Sequence, residues 1–232
     1  MSTSAKDLIS GANETELTME ALKEAREIAM RLKQALPATV DAVQQGIDHK
    51  TVFYMLVARE LSIHRVVALG DDVLALLDSR RYLSASILVR SMLETIAVLG
   101  FILRALEKFE KTSDVAVLYT QVQRIIVGSR NGDEKDPSPV HVLDAIRATE
   151  SFLPVPGLMH VYESISEFAH PNWSGLMGTF GKHENALLVR FSDESRATPP
   201  VALWLTIALS SFEHLYDLLG KSILQAAAHF AK

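Results

Sequence analysis

Apolar residues recur at helical spacing along most of the chain and predict a succession of α-helices. An N-cap at Asn13, followed three residues later by Glu16, predicts a first helix over 13–35. Two longer helices are predicted over 49–77 and 82–111. Apolar residues of the helix at 82–111 leave no clear polar face, which predicts a buried helix at the centre of the fold.

The second half of the chain continues the pattern in shorter segments. Helices are predicted over 113–127, 139–149 and 158–170, separated by stretches rich in glycine and proline. A long final helix is predicted over 199–228, again with apolar residues at a period of 3.6.

The helical period is lost near 176–193. This insert is predicted to be a small hairpin, with strands at 177–180 and 186–191, or else an irregular loop. We therefore predict an all-α fold, a single bundle of about six or seven helices over 13–232. Residues 1–12 are small and polar and are predicted to be disordered.

Composition narrows the class of protein. The 232 residues are 48% hydrophobic and only 7% aromatic, which favours a helical bundle over a β-sandwich or barrel. The net charge is −5 and no basic block stands out, so nucleic acid is not favoured as a partner. The chain has no cysteine, which excludes disulfides and thiolate chemistry and fits a reducing compartment.

Nothing in the sequence predicts a membrane protein. The start of the chain lacks the basic and apolar segments of a signal peptide. The longest apolar run, 96–103, has eight residues, whereas a membrane-spanning helix needs about 20. The sequence thus predicts a soluble, cytoplasmic protein.

Two groups of polar residues stand out in this apolar chain. Arg90 and Glu94 are four residues apart on the predicted central helix and therefore share a face. Tyr162, Ser166 and His170 likewise stack on one face of a short helix that Pro171 ends. A partly buried charge pair needs further hydrogen-bond partners, and an arginine is suited to bind an anion with two hydrogen bonds.

We take these residues as the candidate ligand-binding set, with Arg90 and His170 as the candidate catalytic residues. The set is Arg90, Glu94, Tyr162, Ser166, His170 and Asn172. A purely structural role for the cluster, as an ion pair tying two helices together, is the competing interpretation.

Other chemistries are less well supported. Ser166 and His170 have the spacing of a nucleophile and its base, but a serine within a helix usually bonds to its own i−4 carbonyl. Glu167 and His170 have a spacing used in di-iron bundles, yet Glu167 faces away from the apolar stripe. We predict no metal and no cofactor.

The combination of Arg90-x3-Glu94 with Tyr162-x3-Ser166-x3-His170-Pro171 resembles a bacterial all-helical family of unknown function. The resemblance covers roughly residues 55–175. It implies a helical bundle in which these residues converge in space, and it implies no activity.

Three functions remain open. The first is a non-enzymatic binding or interaction protein whose polar cluster holds a small anionic ligand or a protein partner. The second is a metal-independent ribonuclease or phosphodiesterase of the HEPN-like toxin or antiphage type, using His170 and Arg90. Arg59 and His64 also fit the loose arginine–histidine spacing of that superfamily. The third is a structural cluster in a protein that acts through its surface as a homodimer.

Overall fold

The long apolar helix α3 (Tyr82–Thr112) lies at the centre of the fold, where its sequence pattern predicts it. The computed structural model describes residues 5–129, 137–192 and 199–230. Many side chains of α3 are fully buried, among them Val89, Met92, Leu93, Ile96, Leu99 and Ile102, whereas the face that carries Ile87, Glu94 and Val98 is exposed or only partly buried. Burial of each such side chain contributes about 1.5–3 kcal/mol to folding.

The other α-helices of the described residues surround α3. They are α1 (Ala5–Gln34), α2 (Lys50–Asp78), α4 (Val115–Ile126), α5 (Val142–Glu150), α6 (Leu158–Ala169) and α7 (Val201–Phe230). Helices α2, α4, α5, α6 and α7 pack directly on α3, while α1 lies against α7 and α2. The predicted all-α bundle is confirmed.

Two helices begin three or more residues from the predicted position. Helix α1 begins at Ala5, so Asn13 lies within it; a cap is worth only about 1 kcal/mol and does not by itself start a helix. Helix α5 begins at Val142, later than predicted. The guanidinium of Arg124 on α4 donates to the carbonyls of Ser138 and Pro139, at 3.0 and 3.1 Å, and these bonds hold the preceding segment outside the helix.

The insert after α6 contains the predicted hairpin, but its first strand was wrongly placed at 177–180. Residues Ser174–Gly178 instead form a π-helical turn, and the antiparallel strands are β1 (Gly181–Asn185) and β2 (Leu188–Phe191). The amide of Gly178 donates to the carbonyl of Trp173 at 2.7 Å. This helical bonding keeps the segment before β1 out of the sheet.

Helix α3 is long and apolar enough to cross a membrane when judged by length and composition alone. However, 61% of its most apolar window is buried inside the protein. The core helix of a soluble protein passes the same test, so this single helix is weak evidence for a membrane span.

Candidate functional site

The side chains of Arg90, Glu94 and Tyr162 meet where α6 crosses α3. Nη2 of Arg90 donates to the hydroxyl of Tyr162 at 2.9 Å, and that hydroxyl donates to Oε1 of Glu94 at 3.1 Å. Nε of Arg90 lies 3.6 Å from the same Oε1, close enough for an ion pair. The phenol of Tyr162 therefore connects both members of the Arg90–Glu94 pair to the neighbouring helix α6.

Burial of this cluster is uneven. Tyr162 is buried, while the side chains of Arg90 and Glu94 are 27% and 36% exposed. The carbon of the guanidinium lies 5.1 Å from the centre of the Tyr162 ring, which adds a cation–π contact. Nε of Arg90 is buried and makes no hydrogen bond to the described residues, so the ion pair alone compensates this atom.

Ser166 and His170 have other surroundings. Oγ of Ser166 donates to the carbonyl of Tyr162 at 2.7 Å, the i−4 bond expected of a serine within a helix. His170 ends α6 with extended backbone angles, and its amide donates to the carbonyl of Ser166. Its side chain is exposed and makes no hydrogen bond or ion pair with any residue that the structure describes.

Asn172 holds the turn after α6. Its Nδ2 donates to Oε2 of Glu167 at 2.8 Å, and its Oδ1 accepts from the amide of Gly175 at 3.0 Å. Of the six predicted ligand-binding residues, the structure therefore brings together Arg90, Glu94 and Tyr162. No hydrogen bond or ion pair that the structure records joins the side chains of Ser166, His170 or Asn172 to the side chains of these three residues; Ser166 reaches only the backbone carbonyl of Tyr162.

A groove between α2, α3 and α4 adjoins the cluster through Glu94. It encloses about 310 Å3, within the lower part of the range for small-molecule sites. Its walls are mainly apolar, formed by Ala58, Leu61, Val98, Ile125 and Ile126, and its polar lining residues are Ser62, Arg65, Ser91, Glu94 and Thr95.

Arg65 is the positive charge that faces this groove. Its Nε donates to Oγ1 of Thr95 and its Nη2 to Oγ of Ser91, each at 3.0 Å. Both partners are neutral hydroxyls, and no ion pair involves Arg65 within the described parts of the chain. Three of the five guanidinium N–H groups stay available, so the groove offers a positioned positive charge.

Arg65 is not among the candidate residues predicted from the sequence. A usable signal was nevertheless present, because Ser91 and Thr95 are a pair of hydroxyls four residues apart on a mainly apolar helix. Such a pair marks where a partner from another helix can donate.

A second polar cluster was also missed. The guanidinium of Arg59 lies over the ring of Tyr216, 3.4 Å from its centre, and Nε donates to the Tyr216 carbonyl at 3.0 Å. Glu60 accepts hydrogen bonds from both Arg59 and the Tyr216 hydroxyl. Burial, and then the hydrogen bond to Glu60, raise the pKa of Tyr216 well above its ordinary value.

The two residues of the loose ribonuclease pattern, Arg59 and His64, bind different partners. Arg59 is engaged with Glu60 and Tyr216, whereas Nε2 of His64 donates to the carbonyl of Pro37 at 2.9 Å. Among the residues with described side chains, no group of three or more histidine, aspartate or glutamate residues is placed to hold a metal ion.

Comparisons with known proteins find no matching protein-family model, no similar curated protein and no similar solved structure.

Proposed function

We propose that this is a non-enzymatic binding protein that holds a small anionic ligand in the groove between α2, α3 and α4. The observation that carries the proposal is Arg65, a guanidinium fixed by two neutral hydroxyls on the wall of an otherwise mainly apolar cavity. A carboxylate can accept two hydrogen bonds from such a group. The apolar wall then suits a ligand with a hydrocarbon body.

Arg90 is less suited than Arg65 to bind the ligand carboxylate. The charge of Arg90 is already compensated by Glu94, and Tyr162 occupies Nη2. Arg90 does not line the groove, whereas Glu94 does. Arg90 and Tyr162 thus support the wall of the site by holding Glu94 in place.

Binding is better supported than catalysis at this groove. The hydroxyls of Ser62 and Thr95 donate to backbone carbonyls of their own helices. A serine nucleophile needs an adjacent base, and the lining residues include no histidine.

The ribonuclease alternative would need His170 and Arg90 to act on one phosphate, and the exposed position of His170 at the end of α6 gives it no support. The homodimer alternative stays a prediction.

The test is binding of 4-methylpentanoate, a carboxylate with a branched hydrocarbon body. Calorimetry and thermal unfolding measure this binding. We expect a concentration-dependent rise in the unfolding temperature of the wild type, because a ligand that binds only the folded state stabilises it. The rise should be lost in Arg65→Gln, which removes the charge and keeps most of the side-chain volume.

Arg104→Gln is the matched control. Arg104 also lies on the bundle surface and donates to a serine hydroxyl, that of Ser151 at 2.9 Å, but it does not line the groove. Equal binding by wild type and Arg65→Gln, or no binding of any tested carboxylate-bearing ligand by the wild type, would refute the proposed site.

A further inference from the structure

Glu94 presents one unused carboxylate oxygen at the groove. Its Oε1 accepts from Tyr162 and pairs with Arg90, whereas Oε2 makes no hydrogen bond to the residues that the structure describes. The side chain is 36% exposed and lines the groove. A carboxylate oxygen in this position can accept a hydrogen bond from a ligand.

The groove therefore carries the positive charge of Arg65 and an open carboxylate oxygen of Glu94 that do not pair with each other. Arg65 donates to Ser91 and Thr95, and no ion pair joins Arg65 to Glu94 in the described structure. Both charges stand on one lining surface, beside apolar residues. This arrangement is complementary to a molecule that has a positive group, a negative group and a hydrocarbon part close together.

We propose that the ligand class is the apolar α-amino acids. The ligand carboxylate accepts from Arg65, its ammonium donates to Oε2 of Glu94, and its side chain packs on Val98, Ile125 and Ile126. This inference rests on the proposed function, and it adds the requirement for a positive group on the ligand.

Charge and size both favour this class over a simple carboxylate. A ligand without an ammonium would place its hydrocarbon part against the open oxygen of Glu94, and removing that oxygen from water without a partner is unfavourable. A cavity of about 310 Å3 suits a single amino acid rather than a peptide or nucleotide.

The experiment compares molecules that differ only in the charged groups. Isothermal titration calorimetry on the full chain is run with leucine, methionine and phenylalanine, and with the deaminated carboxylate of each. N-acetylleucine removes the positive charge of leucine, and leucine amide removes the negative charge. We expect at least one free amino acid to bind about tenfold or more tightly than its deaminated form, and both blocked forms to bind weakly.

Glu94→Gln tests the assignment of the positive subsite. It keeps an acceptor for Tyr162 and removes the charge. The variant should therefore bind the amino acid and its deaminated form with about equal affinity. Glu107→Gln is the matched control, because Glu107 lies on the same helix in an exposed ion pair with Arg104.

The outcomes separate the two proposals. If the carboxylates bind through Arg65 but no amino acid binds better than its deaminated form, the amino-acid proposal is overturned and the proposed function stands. If neither series binds, both are overturned. The comparison on the wild type decides the matter even if Glu94→Gln unfolds.

Discussion

The hydroxyl of Tyr162 on α6 lies 2.9 Å from Nη2 of Arg90 on α3 and accepts its hydrogen bond. The same hydroxyl donates to Glu94, so one phenol serves both members of the charge pair. Because Tyr162 is buried and belongs to another helix, this contact ties α6 to the central helix and fixes the carboxylate at the groove.

Tyr162→Phe should lower the free energy of unfolding by about 1–2 kcal/mol, because it leaves a partly buried donor and acceptor without their shared partner. Nε of Arg90 lies near Glu94 already, so a closer ion pair will recover part of the loss. Urea denaturation followed by circular dichroism measures the change.

Tyr82→Phe is the control for this substitution. Tyr82 is half-buried at the start of α3, and its hydroxyl makes no hydrogen bond to the described residues. Its replacement should change stability by less than about 0.5 kcal/mol. Equal effects of the two substitutions would show that the Tyr162 hydroxyl does not link the helices.

A pH dependence follows from Tyr216. The folded protein raises the pKa of this phenol through burial and its hydrogen bond to Glu60, whereas a tyrosine in the unfolded chain titrates near pH 10. The folded state therefore binds the proton more tightly. The resulting stability is complete below about pH 10 and is lost as the pH rises from there toward the folded-state pKa.

Tyr216→Phe isolates this effect. At pH 8 the variant should be less stable than the wild type, because Glu60 loses a hydrogen-bond donor. The difference should shrink between pH 10 and 11, as measured by urea denaturation across that range. A difference that stays constant with pH would contradict the raised pKa.

Gly100 allows α3 and α5 to approach closely. A Cβ at this position would lie 2.6 Å from Cβ and 2.7 Å from Cα of Thr149, which is too close for any side-chain rotation to relieve. Gly100→Ala should therefore cost at least about 2 kcal/mol, as measured by thermal and urea unfolding.

Gly70→Ala on α2 is the matched substitution. Its Cβ would meet Leu209 at 3.8 Å and Met92 at 3.9 Å, which are ordinary contacts. Because alanine is the better helix former, this variant should be as stable as the wild type or up to about 1 kcal/mol more stable. A similar cost for both substitutions would mean that the α3–α5 approach is not the reason.

The sequence predicts local features well, because they depend on spacing within one helix. The apolar pattern identified α3 as the central helix, and the i, i+4 rule placed Arg90 beside Glu94. The same rule also stacked Ser166 and His170 behind Tyr162, but shared spacing does not decide which residue reaches the neighbouring helix. Only Tyr162 is long enough and suitably placed to do so.

Contacts between distant helices could not be predicted in the same way. Arg65 is one of many charged residues on an amphipathic helix, and its hydroxyl partners are 26 and 30 residues away. Arg59 and Tyr216 are 157 residues apart, and nothing in either local pattern marks them as partners. Such pairs depend on how whole helices pack, which single-sequence spacing does not encode.

The N-terminus of α6 depends on a carboxylate from another helix. Gly157 occupies its N-cap position and offers no side-chain acceptor, but Oε2 of Glu150 accepts from the Gly157 amide at 2.8 Å. Oε1 of Glu150 accepts from the amide of Met159 at 2.6 Å. Glu150→Ala should therefore lower the free energy of unfolding by about 1–2 kcal/mol. The stability of Glu150→Gln should lie between those of the wild type and Glu150→Ala.

The measurement is urea unfolding, with Glu163→Ala as the control because Glu163 is exposed on α6. That variant should change stability by less than about 0.5 kcal/mol. The order wild type, Glu150→Gln, Glu150→Ala is the specific expectation, since the amide keeps one acceptor oxygen and removes the charge that favours a helix N-terminus. If Glu150→Ala were as stable as Glu163→Ala, water would satisfy these amides as well as the carboxylate does, and Glu150 would not hold α6 in place.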